Sequence, residues 1–355
     1  MAKITFLIFF YFPFILWSNT LNKDSVFNLI PKSFTGQIAI KQNNNFVFKE
    51  NFGPRERVLG VPINDSTVFN IGEISHTMIY YLIQNLYNSG KIKPTDNVYK
   101  YIKNFPYKNI QIKHLLKHQS GLPLLYVKLY HRKVYNNWNL KLSERNVRFN
   151  NDDIINILIK EKPPLKFEPG DSTAYSDLNY LILTSLIEEI AHISFTDYTS
   201  KTFEQKLLFK PILSASNDTV FNKAYGYRFF PDSTFQLCDN LKSIGLPFDD
   251  GTYGNQHIYL SALNLANWGQ FIFNKIDVSN IIKNQKKEIM GGLKYNNNLK
   301  TISKTGAFGG ISSKLIFIPK NKIVITINSA VLNSHSDKKE FNPLYKYLQR
   351  LDKIN

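Results

Sequence analysis

The chain has 355 residues, 43% of them hydrophobic and 20% charged, with a formal net charge of +17. That composition excludes a disordered polyelectrolyte and is enough to build a substantial core. The one cysteine, Cys238, excludes an internal disulfide framework, and the lysines form dispersed patches such as Lys283–Lys287, with no nucleic-acid motif.

Residues 1–20 read as an export signal or an N-terminal anchor. Lys3 supplies the positive start, and Ile4–Trp17 is an apolar run shorter than the roughly 20 residues a membrane span needs. Ser18-Asn19-Thr20 is a poor cleavage site, so an uncleaved anchor at residues 4–17 stays open. Residues 21–33 read as a polar linker.

Phe34–Lys41 and Asn45–Glu50 are expected strands joined by the turn Gln42-Asn43-Asn44, with Phe46 and Phe48 sharing one face. A third strand is expected at Thr67–Ile71. The helix that follows, from about Ile74, carries Met78, Ile79, Leu82, Ile83 and Leu86 at helical spacing and stops at Gly90. A short helix at Lys113–His118 leads into Gln119-Ser120-Gly121-Leu122-Pro123. Further helices are expected at Ile154–Lys160, capped by Asn151 or Asp152, at Leu178–Ala191, and at Leu263–Phe273, capped by Ser261. The chain turns β-like again at Lys300–Lys304, Ser312–Ile318 and Ile323–Asn328, and ends in a helix at Pro343–Leu351 with Asn342 as its cap.

Strands at both ends with helices between them predict an α+β fold. One antiparallel sheet would come from about 34–72 and 298–352, flanked by helices, with a mostly helical region inserted at about 73–297.

These stretches carry a family likeness. Phe69-Asn70-Ile71-Gly72, His114–Pro123, Phe167-Glu168-Pro169-Gly170, Tyr175-Ser176-Asp177-Leu178-Asn179-Tyr180 and Lys304-Thr305-Gly306 occur in an order that resembles the serine β-lactamase and penicillin-binding-protein superfamily. The class C-like serine hydrolases are the most similar group. The resemblance spans about 34–330 and implies a β-lactamase/transpeptidase-like domain over 34–352. It implies no cofactor and no metal, and a cell-wall peptide or small acyl compound as ligand. The protein would be exported, periplasmic or secreted, with membrane association through its N-terminal segment.

In that family the helix after the first motif opens Ser-x-x-Lys, with an acylated serine and an activating lysine. Here Glu73 stands at the nucleophile position and His76 at the lysine position. The resemblance assigns the proton-transfer tyrosine to Tyr175 and the pocket-lining motif to Lys304-Thr305-Gly306. Ala307 would supply an oxyanion-hole N–H, and Asp177 replaces a common asparagine. A carboxylate at residue 73 has no hydroxyl to acylate and would repel an oxyanion. The leading expectation is therefore a binding or regulatory module with acyl transfer lost or impaired, in which Glu73 pairs with Lys304 or His76.

Two alternatives stay open. A rearranged nucleophile, Ser75 or Ser176, would give an active esterase, peptidase or β-lactamase-like enzyme. Ser75, however, points roughly 200° around the helix from residue 73. A metal or acid–base site at Glu73 and His76 is the other, the pair lying one helical turn apart. His114 and His118 also lie one turn apart, but no glutamate follows His114 directly to complete a zinc motif.

Overall fold

A computed structural model describes residues 21–124, 148–207, 209–214, 219–230, 232, 234–238, 249–283, 291–332 and 341–351. The expected export segment and most of the basic stretch 283–287 lie outside the described residues.

The frame is a six-stranded, wholly antiparallel sheet. Its strands are β1 (Gly36–Gln42), β2 (Asn45–Phe52), β3 (Lys294–Asn296), β4 (Thr301–Phe308), β5 (Ile311–Ile318) and β6 (Ile323–Ser329). In space they run β3-β4-β5-β6-β1-β2, so the first strand from the N-terminal part inserts beside the last from the C-terminal part. Asn43 and Asn44, with φ of 48° and 69°, make the tight β1–β2 turn. Positive φ at both central positions matches the twist of a hairpin, and asparagine tolerates it.

Both faces of the sheet are buried. On one, Ile38, Ile40, Ile316, Ile325 and Ile327 pack with Val26 of α1 (Lys23–Asn28) and with Leu344 and Leu348 of α9 (Asn342–Arg350). On the other, Ala39, Leu315, Phe317 and Val324 meet the large helical core. That core contains α2 (Ser75–Asn88), α3 (Ile112–Leu116), α4 (Asn151–Glu161), α5 (Asp177–Ala191), α6 (Phe195–Leu207) and α7 (Ala262–Phe273). A further short helix, α8, spans Val278–Lys283. Trp268 of α7 is fully buried and donates its indole N–H to Thr77 Oγ1 at 2.9 Å, tying α7 to α2. The Ala262 N–H donates to Gln37 Oε1 at 2.8 Å, fixing the start of α7 to β1.

Several local expectations need correction. The region 21–33 is not simply a linker: Asn22 caps α1 by accepting from the Ser25 N–H, and Val26 is fully buried. Of the expected third strand Phe69–Asn70 forms a strand, pairing with Tyr259 and Leu260 outside the main sheet, and Val68 makes an isolated bridge to Lys223. Phe46 and Phe48 do not share an environment. The register shifts between Ile40 and Lys41, leaving Phe46 38% exposed while Phe48 is buried. Asn150, not Asn151 or Asp152, caps α4, and α9 starts after Phe341 without a side-chain cap from Asn342.

Candidate active site

The site forms where α2 begins. Gly72, at φ +51°, lets the chain turn from the Phe69–Asn70 strand into the 3-10 turn Gly72–Ile74, and Asn70 Oδ1 accepts the Gly72 N–H at 3.1 Å. β4 passes unusually close to this turn. A Cβ on Gly306 would collide with the Ile71 carbonyl oxygen and lie 2.7 Å from the Glu73 nitrogen. Glycine alone permits that approach, and it carries the next amide, that of Ala307, to the Glu73 side chain.

The Ala307 N–H donates to Glu73 Oε2 at 2.8 Å. The Glu73 backbone amide also favours the charged form of its own carboxylate. The Ala307 amide is the one that would face an oxyanion in the pattern set out above. Here it is turned onto a carboxylate belonging to the chain. Burial raises the Glu73 pKa, the Ala307 bond, the residue-73 amide and the Lys304 charge oppose that rise, and Asp177 adds to it.

His76 sits one turn further on and is fully buried. Its ring stacks on Tyr180, with centroids 3.7 Å apart and planes 3° from parallel, and lies 5.7 Å from His118. Nε2 lies 2.5 Å from Asn255 Oδ1. Asn255 uses its amide nitrogen to donate to the Asp177 carbonyl at 3.2 Å, so its oxygen faces the imidazole and His76 carries its proton on Nε2. Nδ1 has no hydrogen-bond partner. Burial, then the Lys304 and His118 charges, hold the His76 pKa well below the usual range. A fully buried imidazole whose charged form is this strongly disfavoured is a weak base.

The far wall is the N-terminus of α5. Tyr175 is 41% exposed, and its hydroxyl and the Asp177 side chain influence one another. Burial first, then the Asp177 and Glu73 charges, push the Tyr175 hydroxyl well above its ordinary range. Burial also raises Asp177, with Tyr175 pulling the other way. A tyrosine flanked by two carboxylates resists becoming a phenolate, the form a general base requires. The Lys304 side chain runs along Gly292, where a Cβ would strike its Nζ. Thr305 and Ala307 are exposed beside the site, and Gly306 is buried.

The structure thus gathers Glu73, His76, Tyr175, Asp177, Lys304, Gly306 and Ala307, but Glu73 bonds to the Ala307 amide and not to His76. Ser75 is fully buried and donates to the Gly254 carbonyl at 2.9 Å. Ser176 is equally buried and donates to the Pro123 carbonyl at 2.8 Å. His114 Nδ1 accepts the Gln111 N–H in a helix cap, so its spacing from His118 serves local structure. Sequence reasoning missed Asn255, which fixes the His76 tautomer, and Tyr180, on which the imidazole lies. Tyr180 closes the Tyr175–Tyr180 motif, but Asn255 is 179 residues from His76 and carries no local signal.

A mixed sheet-and-helix domain with its site at this helix start is the architecture of the β-lactamase and transpeptidase proteins, and the Beta-lactamase family model matches residues 32–347. The chain belongs to that family. It is 25% identical over 278 residues to penicillin-binding protein 4* of Bacillus subtilis (strain 168), covering 74% of this chain and 57% of that protein. Similarity to the teichoic acid D-alanine hydrolase of Staphylococcus aureus (strain MRSA252) is 29% over 165 residues, 46% of this chain and 37% of that one. The chain spans about half the length of the curated relatives it matches. Among solved structures, FmtA from Staphylococcus aureus superposes with a TM-score of 0.71 at 19% identity, covering 94% of this chain and 88% of that one. A class C beta-lactamase gives 0.67 at 17%, covering 93% and 96%. These two likenesses establish the fold.

Proposed function

We propose that this chain is a β-lactamase-fold binding or regulatory module in which acyl transfer is lost or severely weakened. The observation that carries the reading is the Glu73 carboxylate accepting the Ala307 amide at 2.8 Å. Acyl transfer by this fold needs a hydroxyl at the helix start and two free amides to receive the oxyanion. Glu73 removes the hydroxyl and occupies the Ala307 amide with a group of the wrong charge. Tyr175, held as the neutral phenol, and His76, whose depressed pKa makes it a weak base, support the same reading.

The ligand we infer is a cell-wall peptide or small acyl compound, taken at the outer part of the pocket by Tyr175, Lys304 and Thr305. Names among the relatives, penicillin-binding protein and teichoic acid D-alanine hydrolase, point to that chemistry. Export through residues 1–20, to the periplasm or the outside, fits such a ligand, with anchoring by residues 4–17 as the variant form. No helix of the described residues is long and apolar enough to cross a membrane.

The rearranged-nucleophile reading is disfavoured because Ser75 and Ser176 are buried and engaged. A metal at Glu73 and His76 lacks donors: His76 faces Asn255, and among the described residues no group of three or more His, Cys, Asp or Glu could hold an ion. Incubation with a fluorescent penicillin and with a phosphonate serine probe tests the proposal. No covalent label on the native protein is expected. Stoichiometric label mapping to one residue, absent after prior denaturation, would overturn it.

A further inference from the structure

Exposed large apolar side chains concentrate beside the pocket mouth, in the loop after Arg57 and the hairpin Tyr227–Phe229/Phe235–Leu237. Val58 and Leu59 are 77% and 78% exposed, and Phe230, Phe235 and Leu237 are 37%, 43% and 42% exposed. A solitary exposed leucine needs no explanation, whereas a grouped set does.

The projection is built. Both Glu56 carboxylate oxygens accept backbone N–H groups, from Val58 at 2.9 Å and from Leu59, and Tyr227 donates to the same carboxylate at 3.1 Å. Those bonds hold the Val58–Leu59 tip outward and consume the nearest acid. The Arg57 guanidinium lies over the rings of Phe229 at 4.7 Å and Phe235 at 5.6 Å, joining loop to hairpin, and the Arg228 guanidinium lies over Phe230 at 5.4 Å. Among the described residues of the hairpin, the acid Asp232 is turned back onto Thr234, accepting its hydroxyl at 2.6 Å. The hairpin abuts the β4–β5 turn, since a Cβ on Gly226 would collide with the Gly309 carbonyl oxygen. Ala307 is two residues away.

We propose that this projection is a membrane-docking surface for anionic phospholipid, with Val58 and Leu59 entering the acyl boundary and Arg57 and Arg228 meeting headgroup phosphates. A protruding aliphatic tip with guanidinium groups at its base suits a bilayer interface, where apolar atoms bury while cations stay at headgroup level. The formal charge of +17 supplies long-range attraction to the same surface. A flat protein partner would leave the single tip poorly packed. Docking here would turn the pocket mouth toward the bilayer.

The test is local, so that binding by the apolar run at residues 4–17 does not obscure it. The full chain carrying Cys238→Ala and Leu59→Cys is labelled with an environment-sensitive fluorophore, alongside a Lys201→Cys control on the outer surface of α6. With phosphatidylglycerol vesicles, the residue-59 probe is expected to brighten and to be quenched by shallow lipid-borne spin labels, while the control stays unchanged. Phosphatidylcholine vesicles should require at least about tenfold more lipid, since each basic group near an anionic surface adds about fivefold in binding. Val58→Asp on the labelled chain should abolish the response. A silent residue-59 probe on both vesicle types overturns the proposal. Equal response on both overturns its anionic specificity, and a protein-concentration-dependent response without vesicles replaces it with a contact between copies of this chain.

Discussion

The Glu73 carboxylate accepts the Ala307 amide at 2.8 Å, across 234 residues of sequence. A side chain at the nucleophile position therefore satisfies a backbone donor that an acyl-transfer site keeps open. Replacing Glu73 with serine frees the Ala307 amide and restores a hydroxyl, but leaves a buried neutral imidazole where the activating lysine belongs. Glu73→Ser alone should accordingly gain little. Glu73→Ser with His76→Lys should gain esterase activity on small acyl esters, a freed oxyanion donor contributing about 10²–10³ in rate. Turnover assays on the two variants check this.

The same carboxylate sets a pH dependence. Burial raises the folded pKa of Glu73 and Asp177 above their ordinary 4.5 and 3.8. Between those values and the raised ones the native chain holds more protons than the unfolded chain, so stability from these groups declines as pH rises through the window. Glu73→Gln keeps an acceptor for the Ala307 amide and removes the cost of ionisation. It should raise the melting temperature by a few degrees at about pH 7, where one kcal/mol is worth about 2–4 °C, and change it little at about pH 4.

His76 acts with the opposite sign. Its folded pKa is depressed well below 6.5, so the unfolded chain takes the proton first. Stability from this group is present above about 6.5 and is lost as pH falls toward the folded pKa. His76→Gln should flatten that acid-side loss in thermal melts across the range, while Glu73→Gln should not.

Ser75 should prove structural. Its hydroxyl donates to the Gly254 carbonyl in a fully buried setting, so Ser75→Ala should cost about 1–3 kcal/mol in denaturant unfolding. Ligand binding, read by fluorescence or calorimetry, should survive.

Gly306→Ala tests the close approach that delivers Ala307 to Glu73. Its Cβ would collide with the Ile71 carbonyl, and the expected loss is about 2 kcal/mol or more. Gly90→Ala is the control: its φ is +72° and nothing lies within 4 Å, so only backbone strain of about 1–2 kcal/mol applies.

Much of the frame was legible because it is locally encoded. The apolar spacing of α2, the Asn43-Asn44 turn and the Ser261 cap of α7 each declare themselves within a few residues. α1 was hidden because its six residues bury only Val26. β3 was hidden because Lys294-Tyr295-Asn296 lacks an apolar alternation and exists through its pairing with β4. At the site, motif order brought out Glu73, His76, Tyr175 and Lys304. The partner of Glu73 and the Asn255 contact to His76 depend on loops meeting across the fold, which no local pattern records.

Intact-protein mass spectrometry after exposure to a penicillin tests the central claim most directly. The native chain should remain at its unmodified mass, and Glu73→Ser with His76→Lys should gain one acyl group, mapped to position 73. An acyl adduct on the native chain, at any single residue, would contradict the account.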